Sequence, residues 1–503
     1  MNFRMIGRFA AKMLLIEALF MLPATLISAC YGEKKSFWGF LLSVGIIAAV
    51  CGVLYLLSRG ASKAFYAKEG FVCVGISWIV LSLMGSLPLI FSGAETNFID
   101  AFFEVVSGFT TTGSSVIADV ESLPRGILCW RSFTNWLGGM GVLVFLLALA
   151  PSEKGGESGF TMHLLRAESP GPEVSKLVPR VKKTALILYA IYIVLTFVQF
   201  IILLFGDMTP FEAICSSFST AGTGGFGVRN DSFASFSPFS QLVVAIFMIL
   251  FSINFNSYYL LLLGRFKSAF NSEVKVFLLT LVAALTIITS SLVISGAEGA
   301  DNLPDALRHS LFTVASIMST SGFSTLDYNA WPDIAKTAIF LIMFIGACAG
   351  STAGGFKVSR VIILFKGMIR EIGNLVHPRQ VKRITVDSRT VNHDVVRSVN
   401  AYLVIYFLIF GISFFILSFD GYVCTQGSKM LTNFSAVLTA INNVGPGFDM
   451  VGPAGNFAFY NPLSKLVLIF NMLAGRLELL PMLLLFSPSI WGDVIRRRRQ
   501  TAI

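Results

Sequence analysis

The sequence contains few charged residues for its length. Asp, Glu, Lys and Arg make up 13% of its 503 residues, whereas 55% of the residues are hydrophobic. An average soluble domain carries roughly twice that charged fraction. The shortage of charge excludes an ordinary soluble protein, and the mean hydropathy of +0.75 indicates a chain that lies largely within a membrane.

The sequence also lacks the residue clusters on which many enzymes and metal proteins depend. It has seven cysteines, most of them inside apolar stretches, and no Cys-x-x-Cys pair. Its histidines, His163, His309, His377 and His393, are far apart in the chain. We therefore interpret the cysteines as small buried side chains rather than as disulfide partners or metal ligands. Nothing in this pattern predicts an enzyme.

Long apolar stretches recur along the chain. A helix needs about 20 apolar residues to cross a bilayer, and lipid offers no hydrogen-bond partner for an open strand. The sequence therefore predicts an all-α polytopic membrane protein. The candidate spans are approximately 9–30, 37–58, 71–92, 132–150, 183–205, 241–263, 275–295, 335–349, 398–418 and 463–485.

Basic residues concentrate in alternate loops. The basic segments are 59–68, 176–183, 265–267, 360–397 and 496–499, and the acidic segments between them include 95–121 and 301–333. By the positive-inside rule, this alternation predicts a multi-pass protein of the cytoplasmic (inner) membrane with both termini in the cytoplasm. The pair Lys34–Lys35 is the exception. Because membrane orientation accounts for the net charge of +10, that charge does not indicate a nucleic-acid partner.

After an accessory pair of helices (1–70), one order of segments occurs four times. A long apolar helix is followed by a short amphipathic segment, a polar stretch with glycine and a second long helix. The short segment cannot span a bilayer, so we expect it to enter and return as a pore helix leading into a filter strand. Four such pseudo-repeats predict a central pore in one chain. They are assigned to residues 71–151, 183–265, 274–367 and 396–491, followed by a basic cytoplasmic tail at 492–503.

Each polar stretch places a glycine after small residues. Glycine adopts backbone angles that other residues resist, which allows successive carbonyl oxygens to face one axis and replace the water shell of a monovalent cation. The carboxyl ends of the pore helices add partial negative charge there. The candidate potassium-binding residues are Thr111, Thr112 and Gly113; Thr220, Ala221 and Gly222; Thr320, Ser321 and Gly322; and Asn443, Val444 and Gly445.

Two of the four stretches depart from the common pattern. In repeat 2, aligning the phenylalanine before the polar stretch favours Gly222, whereas aligning the Gly-Phe pair favours Gly225; Gly224 is a third candidate. Repeat 4 has Asn443 where the others have Thr or Ser, and Pro446 directly follows its glycine. The filter is therefore predicted to be less selective than a symmetric one.

Small residues interrupt the second helix of repeat 3 between 346 and 357 and disfavour a helix there. This interruption predicts an intramembrane loop beneath the filter that gates the pore. The segment 350–357 resembles a phosphate-binding loop, but its lysine is one place late and no strand precedes it, which disfavours nucleotide binding. The candidate gating residues are Gly350, Ser351, Thr352, Ala353, Gly354, Gly355, Lys357 and Arg476.

Arg476 interrupts the second helix of repeat 4. A charge at that depth is costly unless it faces a cavity or a partner. We expect it to face the pore below the filter, near the carbonyls of loop 346–357, where it would raise the barrier to cations. The alternative is a salt bridge with Glu478 that ties helices together. Two roles are open to Lys357. We favour a side chain that extends toward the membrane surface over a second gate residue.

Several motifs together resemble one family. Besides the four filter stretches, they are 136–141, 349–357 and 471–478. Over nearly its whole length the sequence resembles the Trk/Ktr/HKT superfamily of potassium transporters, and its accessory helix pair is similar to the Trk-type membrane subunit. The resemblance implies K⁺ as the transported ion, a homodimer with one pore per protomer, and a cytoplasmic nucleotide-binding regulatory ring. It implies no covalently bound cofactor, with nucleotide (ATP/ADP or NAD) only on that ring.

The leading hypothesis is potassium uptake through a channel-like pore gated from inside. The alternative is a proton- or sodium-coupled potassium symporter, which usually has an intramembrane carboxylate; the sequence offers only Glu478 as a candidate. An integral-membrane enzyme would need a cluster of histidine, cysteine or carboxylate at membrane depth, and the sequence contains none.

Overall fold

The computed structural model describes residues 3–60, 67–141, 181–297, 299, 301–377, 383–387, 389–425 and 427–488. The tail at 492–503 and the part of repeat 1 after residue 141 lie outside the described residues. Within them, six helices are long and apolar enough to cross a membrane, and one bent pair of helices provides a seventh candidate. The predicted helical, multi-pass architecture is confirmed.

Helices α1 (Phe3–Cys30) and α2 (Lys34–Leu57) form the accessory pair. They are antiparallel because a short turn joins them, and the hydroxyls of Ser28 and Ser36 lie 2.9 Å apart on either side of it. Gly39 of α2 lies directly against the backbone of repeat 1. The pair therefore packs beside the repeats rather than belonging to one of them.

Repeat 1 shows how a short helix is built into the interior. The repeat contains α3 (Ala67–Gly85), α4 (Leu87–Ser92), α5 (Phe98–Phe109) and α6 (Arg125–Gly139). The side chain of Asn97 accepts a hydrogen bond from the first turn of α5 and so fixes its start. The last nine residues of α5 are all buried. Apart from Glu104, this part consists of apolar or small residues, so packing surrounds it on all sides.

Repeat 2 has the same order, but its second helix is divided. Its helices are α7 (Val181–Leu203), α8 (Pro210–Gly222), α9 (Pro238–Ser252), α10 (Phe255–Leu262) and α11 (Phe266–Ala269). The chain bends by 89° between α9 and α10. Ile253 adopts an extended conformation at the bend, and the side chain of Asn254 caps the new helix. The continuous span predicted at 241–263 is therefore wrong.

Repeat 3 contains the interruption that the sequence predicts. Its elements are α12 (Ser272–Ser295), α13 (Leu303–Met318), a 3₁₀ turn (Tyr328–Ala330), α14 (Asp333–Ile345) and α15 (Val358–Val376). The loop 346–357 separates α14 from α15. Here the low helix preference of the small residues decides the local structure.

A small hairpin connects repeat 3 to repeat 4. Strands β1 (Thr385–Val386) and β2 (Arg389–Thr390) are antiparallel. Repeat 4 then contains α16 (His393–Ser418), α17 (Lys429–Asn442), a 3₁₀ turn (Asp449–Val451), α18 (Pro462–Leu477) and α19 (Leu479–Leu484). The chain breaks at Glu478, whose φ is 68°. The continuous span predicted at 463–485 is therefore also wrong.

The second helices of the four repeats have matching lengths. Helices α6, α9, α14 and α18 have 15, 15, 13 and 16 residues. Each begins at or directly after a proline, whose fixed φ suits the first helical turn. The four-fold pattern thus extends to helices that are too short to span a bilayer alone.

Candidate functional site

The four short helices α5, α8, α13 and α17 end in one shared backbone motif. A residue with left-handed conformation directly follows α8 and α17 and lies two positions after the end of α5 and α13. The amide of the left-handed residue donates to the carbonyl three residues earlier, and the next amide donates to the carbonyl five residues earlier, at 2.8–2.9 Å. This is the Schellman arrangement. The left-handed residues are Thr111, Thr223, Thr320 and Asn443, with φ of 54°, 53°, 57° and 52°.

Three of these left-handed residues are threonines, where glycine or asparagine is usual. For a residue with a Cβ this conformation costs roughly 1–2 kcal/mol because the Cβ approaches the carbonyl oxygen. All four side chains are fully buried. Such strain persists only where the surrounding structure fixes the backbone, and it concentrates at functional sites.

Two residues further along, each repeat has a glycine with positive φ. The values are 84° at Gly113, 73° at Gly225, 81° at Gly322 and 100° at Gly445. Other residues resist these angles, so the glycines are required by the backbone itself. Equal spacing from the left-handed residue makes these four glycines structurally equivalent.

The four glycines form a closed ring. Each lies against the carbonyl of the residue that precedes the equivalent glycine in the next repeat, and a Cβ on any of them would collide with that oxygen. A Cβ on Gly113 would lie 2.6 Å from the carbonyl oxygen of Gly224, and a Cβ on Gly445 would lie 2.7 Å from that of Thr112. The contacts are Gly113 with Gly224, Gly225 with Ser321, Gly322 with Val444, and Gly445 with Thr112. The order of repeats 1, 2, 3, 4 and back to 1 closes the ring.

The ring corrects the sequence assignment in repeat 2. Thr220, Ala221 and Gly222 lie in the last turn of α8, so they do not occupy the extended stretch. Thr223 and Gly225 have the backbone angles of their counterparts in the other repeats. The alignment of the Gly-Phe pairs was the signal in the sequence that identifies Gly225.

Repeat 4 differs from the others because its left-handed asparagine also joins two repeats. The amide nitrogen Nδ2 of Asn443 donates to the hydroxyl of Thr112 at 3.0 Å and to the carbonyl of Met472 at 2.9 Å. The hydroxyl of Ser114 donates to the carbonyl of Gly445 at 3.1 Å. The bonds from Asn443 to Thr112 and from Ser114 to Gly445 connect the predicted filter stretches of repeats 1 and 4 directly.

A cavity of about 130 Å³ opens beside the ring, and all four glycines line it. Its wall also includes Arg131 of α6, which is 3% exposed. Nε and Nη2 of Arg131 donate to Oε1 of Glu104 at 2.8 and 2.5 Å. Glu104 also accepts bonds from the hydroxyl of Ser115 and, at 3.0 Å, from the amide of Val116. This buried ion pair, which sequence reasoning missed, fixes the chain just after Gly113.

The guanidinium of Arg131 also reaches repeat 2. Its Cζ lies 4.2 Å from the centroid of the Phe226 ring, a cation–π distance. Phe226 directly follows the ring glycine Gly225. The Glu104–Arg131 pair therefore contacts the stretches that follow two neighbouring ring glycines.

The predicted gating loop is closed at its base and lies under the ring. A Cβ on Gly346 would be 3.0 Å from the Cα of Gly355, so the two ends of the loop touch. The amide of Gly354 donates to the hydroxyl of Thr320 at 2.7 Å. Gly354 also lies against the backbone of Asn442 in repeat 4. The loop thus contacts the predicted filter stretches of repeats 3 and 4.

The same loop fits into the bend between α9 and α10. The amide of Phe255 donates to the carbonyl of Gly350 at 3.1 Å, and the amide of Cys348 donates to the carbonyl of Ser252 at 3.2 Å. The hydroxyl of Thr352 donates to a carbonyl in the last turn of α9. At the bend, the backbone amide of Phe255 and the carbonyl of Ser252 are free to bond with the loop. In a continuous helix these groups would bond within the helix itself.

Arg476 bridges the loop and repeat 1. Its Nη1 donates to the carbonyl of Thr352 at 2.7 Å, and its Nη2 donates to the carbonyls of Gly138 and Gly139 at 2.5 and 2.6 Å. Arg476 is half-buried. The structure places it beside the loop carbonyls, while Glu478 forms an ion pair with Arg360.

Lys357 lies at the end of the loop and does not reach the membrane surface. It is 2% exposed, and its ammonium donates to the carbonyl of Ala353 within the same loop. The interpretation of Lys357 as a residue that extends toward the surface is therefore wrong. Its left-handed φ of 77° turns the chain from the loop into α15.

The structure also contains carboxylates that the sequence reasoning overlooked. Besides Glu104, they are Glu17 of α1, 2% exposed, and Glu273 in the first turn of α12, 8% exposed. Oε1 of Glu273 accepts a hydrogen bond from the amide of Ala349 at 2.7 Å. Glu478 is therefore not the only candidate for an intramembrane carboxylate. Glu17 was visible as a charge inside an apolar run, whereas the partner of Glu273 depends on tertiary structure.

Comparison with known proteins gives one consistent result. Residues 40–492 match the model of the TrkH family, described as a cation transport protein. The chain is 35% identical to the Trk system potassium uptake protein TrkH of Salmonella typhimurium, over 98% of this chain and 100% of that protein. It is 34% identical to TrkG of Escherichia coli strain K12, over 97% and 98%. The crystal structure of the potassium transporter TrkH from Vibrio parahaemolyticus matches with a TM-score of 0.85 and 31% identity, over 98% of this chain and 100% of that chain.

Proposed function

Because this chain belongs to the TrkH family of cation transport proteins, we propose that it takes up potassium across the membrane through a channel-like pore. The observation that carries the proposal is the closed ring of Gly113, Gly225, Gly322 and Gly445. Its relatives are named potassium uptake proteins. As a member of a transport family, the chain is not an enzyme.

The ring acts as the selectivity filter. Carbonyl oxygens in the stretches around the four glycines replace the hydration shell of K⁺. Since all four short helices end at the ring, the partial negative charges of their carboxyl ends favour a cation there. The filter residues are Thr111, Thr112 and Gly113; Thr223, Gly224 and Gly225; Thr320, Ser321 and Gly322; and Asn443, Val444 and Gly445.

The loop 346–357 acts as the gate. It lies directly against the filter stretches, and Arg476 holds its Thr352 carbonyl. A positive charge next to the ion path opposes the passage of a cation, most strongly where water is scarce. Two changes are therefore required for opening. The loop must break its contact with Thr320, and Arg476 must release the carbonyls to which it donates.

We also propose the membrane orientation of the chain and its partner proteins. The termini and alternate loops lie in the cytoplasm of a cell with an inner membrane; basic segments such as 360–397 support this orientation by the positive-inside rule. The membrane subunit works as a homodimer surrounded by lipid, and a cytoplasmic ring that binds ATP/ADP or NAD regulates it. The relatives' names describe a Trk system, which supports the involvement of more than one component.

A proton- or sodium-coupled symporter is the second candidate. The buried carboxylates Glu17 and Glu273 favour it, because a carrier of this kind uses an intramembrane acid to bind the coupling ion. In contrast, the glycine ring and the loop 346–357 favour a pore through which K⁺ passes without a coupling ion.

Flux measurements with the purified protein in liposomes distinguish the two. We expect ⁸⁶Rb⁺ uptake to follow the K⁺ gradient, with no change when a pH or Na⁺ gradient is imposed and with little inhibition by external Na⁺. Liposomes without protein provide the control. Uptake that requires a proton or sodium gradient would reject the channel-like mechanism in favour of the symporter.

A further inference from the structure

We infer that Glu273 is a positioning residue of the gate, whose carboxylate holds loop 346–357 in the closed arrangement. This inference rests on the proposed function of that loop. Glu273 belongs to α12, the first helix of repeat 3, and not to a filter stretch or a second helix. Its Oε1 accepts a hydrogen bond from the amide of Ala349, 2.7 Å away.

The position of Glu273 leaves its carboxylate little freedom. Its side chain is 8% exposed, and the side chain of Asn271 caps the helix by accepting from the amide of Val274. Glu273 therefore lies in a turn that is fixed on both sides. A buried carboxylate must be compensated by hydrogen bonds or by opposite charge. The amide of Ala349 supplies such a hydrogen bond.

Loop 346–357 is attached at several points, and Glu273 supplies a distinct one. Thr320 and Arg476 hold the part from 352 to 354, and Phe255 holds Gly350. Glu273 holds Ala349, between the base of the loop and these contacts. If the Glu273 carboxylate were removed, the buried amide of Ala349 would lose this acceptor. Loop arrangements in which the amide finds another acceptor would then become more favourable.

The helical turn that carries Glu273 is also joined to the hairpin β1–β2. Both the amide and the hydroxyl of Ser272 donate to Oδ1 of Asp387, at 2.8 and 2.6 Å. Asp387 lies between the two strands of the hairpin. A displacement of the hairpin would therefore move the residue next to Glu273, and through the carboxylate it would move the loop.

Two substitutions separate this role from general destabilisation. Glu273→Asp keeps the charge but is one methylene shorter, so it weakens the bond to Ala349; Glu273→Gln keeps an acceptor oxygen at the same reach. Glu371→Ala is the matched control, because Glu371 is a carboxylate of α15 that is 62% exposed. Arg476→Ala tests whether the loop acts as a gate at all.

The readouts are basal ⁸⁶Rb⁺ flux and the preference for K⁺ over Na⁺ in liposomes. We expect Glu273→Ala to raise basal flux about tenfold, the scale on which one charge-assisted hydrogen bond shifts an equilibrium. Glu273→Asp should raise it less, and Glu273→Gln should also raise it less than Glu273→Ala, because it keeps an acceptor but loses the charge. Glu371→Ala should stay within about twofold of wild type, and ion preference should not change in any of these variants.

If Glu273→Ala and Glu273→Asp both keep wild-type basal flux while Arg476→Ala raises it, the role of Glu273 is overturned and the proposal that the loop is a gate stands. Increased flux with lost ion preference would also overturn it, because the filter would then be disturbed. If Glu273→Ala does not fold, Glu273→Asp decides the question. Absence of potassium flux in every variant and in the wild type would instead reject the proposed function.

Discussion

At the scale of residues, the proposed filter depends on backbone conformations that most residues avoid. Thr111, Thr223 and Thr320 have left-handed backbone angles, and each is fully buried. Their strain is tolerated because two hydrogen bonds of a Schellman motif fix each backbone. The precise orientation of the next carbonyls is thus set by the helix end rather than by the threonine side chain.

The ion pair of Glu104 and Arg131 leads to a residue-scale prediction. Glu104→Gln leaves a buried guanidinium without its counter-charge, and breaking such a pair costs about 3–5 kcal/mol. It also weakens the hold on Val116, close to Gly113. We expect a lower apparent melting temperature in detergent and a reduced preference for K⁺ over Na⁺ in liposome flux.

Asp333→Asn is the control for that substitution. Asp333 pairs with Lys336 but is 96% exposed, so its loss should change stability by no more than about 0.5 kcal/mol. A Glu104→Gln protein that loses stability but keeps wild-type ion preference would show that the ion pair supports the fold without positioning the filter.

The sequence could identify most glycines of the ring, but not the surroundings that hold them. The glycines of repeats 1, 3 and 4 follow small polar residues in a visible pattern. In repeat 2, three glycines within four residues leave the register open, and only the helix end at Gly222 and the contact of Gly225 with Ser321 decide it. Glu104 and Arg131 are 27 residues apart, so their pairing depends on how α5 and α6 pack.

At the scale of elements, the proposed gate depends on two interrupted helices. The sequence predicts the interruption at 346–357 because small residues and glycines disfavour a helix. It does not predict the bend after Ser252, where neither glycine nor proline occurs. That bend is stabilised by the Asn254 cap and by the hydrogen bonds that the loop provides through Cys348 and Gly350. Tertiary contacts therefore override an apolar pattern that favours a continuous helix.

Arg476 provides the element-scale prediction. Arg476→Ala removes the bonds to the carbonyls of Thr352, Gly138 and Gly139. It also removes a positive charge near the proposed ion path. We expect basal ⁸⁶Rb⁺ flux to rise several-fold. Arg476→Lys should give an intermediate flux, because an ammonium keeps the charge but cannot present the guanidinium's fork of donors.

Flux of these variants per reconstituted protein, compared with the wild type at equal protein density, checks this prediction. A decrease in Arg476→Ala, with normal incorporation into liposomes, would show that Arg476 stabilises the helices rather than the closed gate.

At the scale of the whole molecule, four distant segments build one ring. Gly113, Gly225, Gly322 and Gly445 are separated by about a hundred residues each, yet each contacts the next in chain order. The internal repeats made this arrangement predictable, because the same helix order in each copy places equivalent residues around one axis. The unequal side chains of repeats 2 and 4 show that the backbone, and not the residue type, is what the repeats share.

The measurement that tests the central claim most directly is the permeability ratio of K⁺ to Na⁺ in planar bilayers. We predict that Gly113→Ser and Gly225→Ser each lower the ratio, since any Cβ there collides with a carbonyl of the neighbouring repeat. Gly296→Ser is the matched control: Gly296 also has positive φ, at 60°, but nothing lies within 4 Å of the added Cβ. It should keep the wild-type ratio. A wild-type ratio in Gly225→Ser would contradict the ring as the selectivity filter.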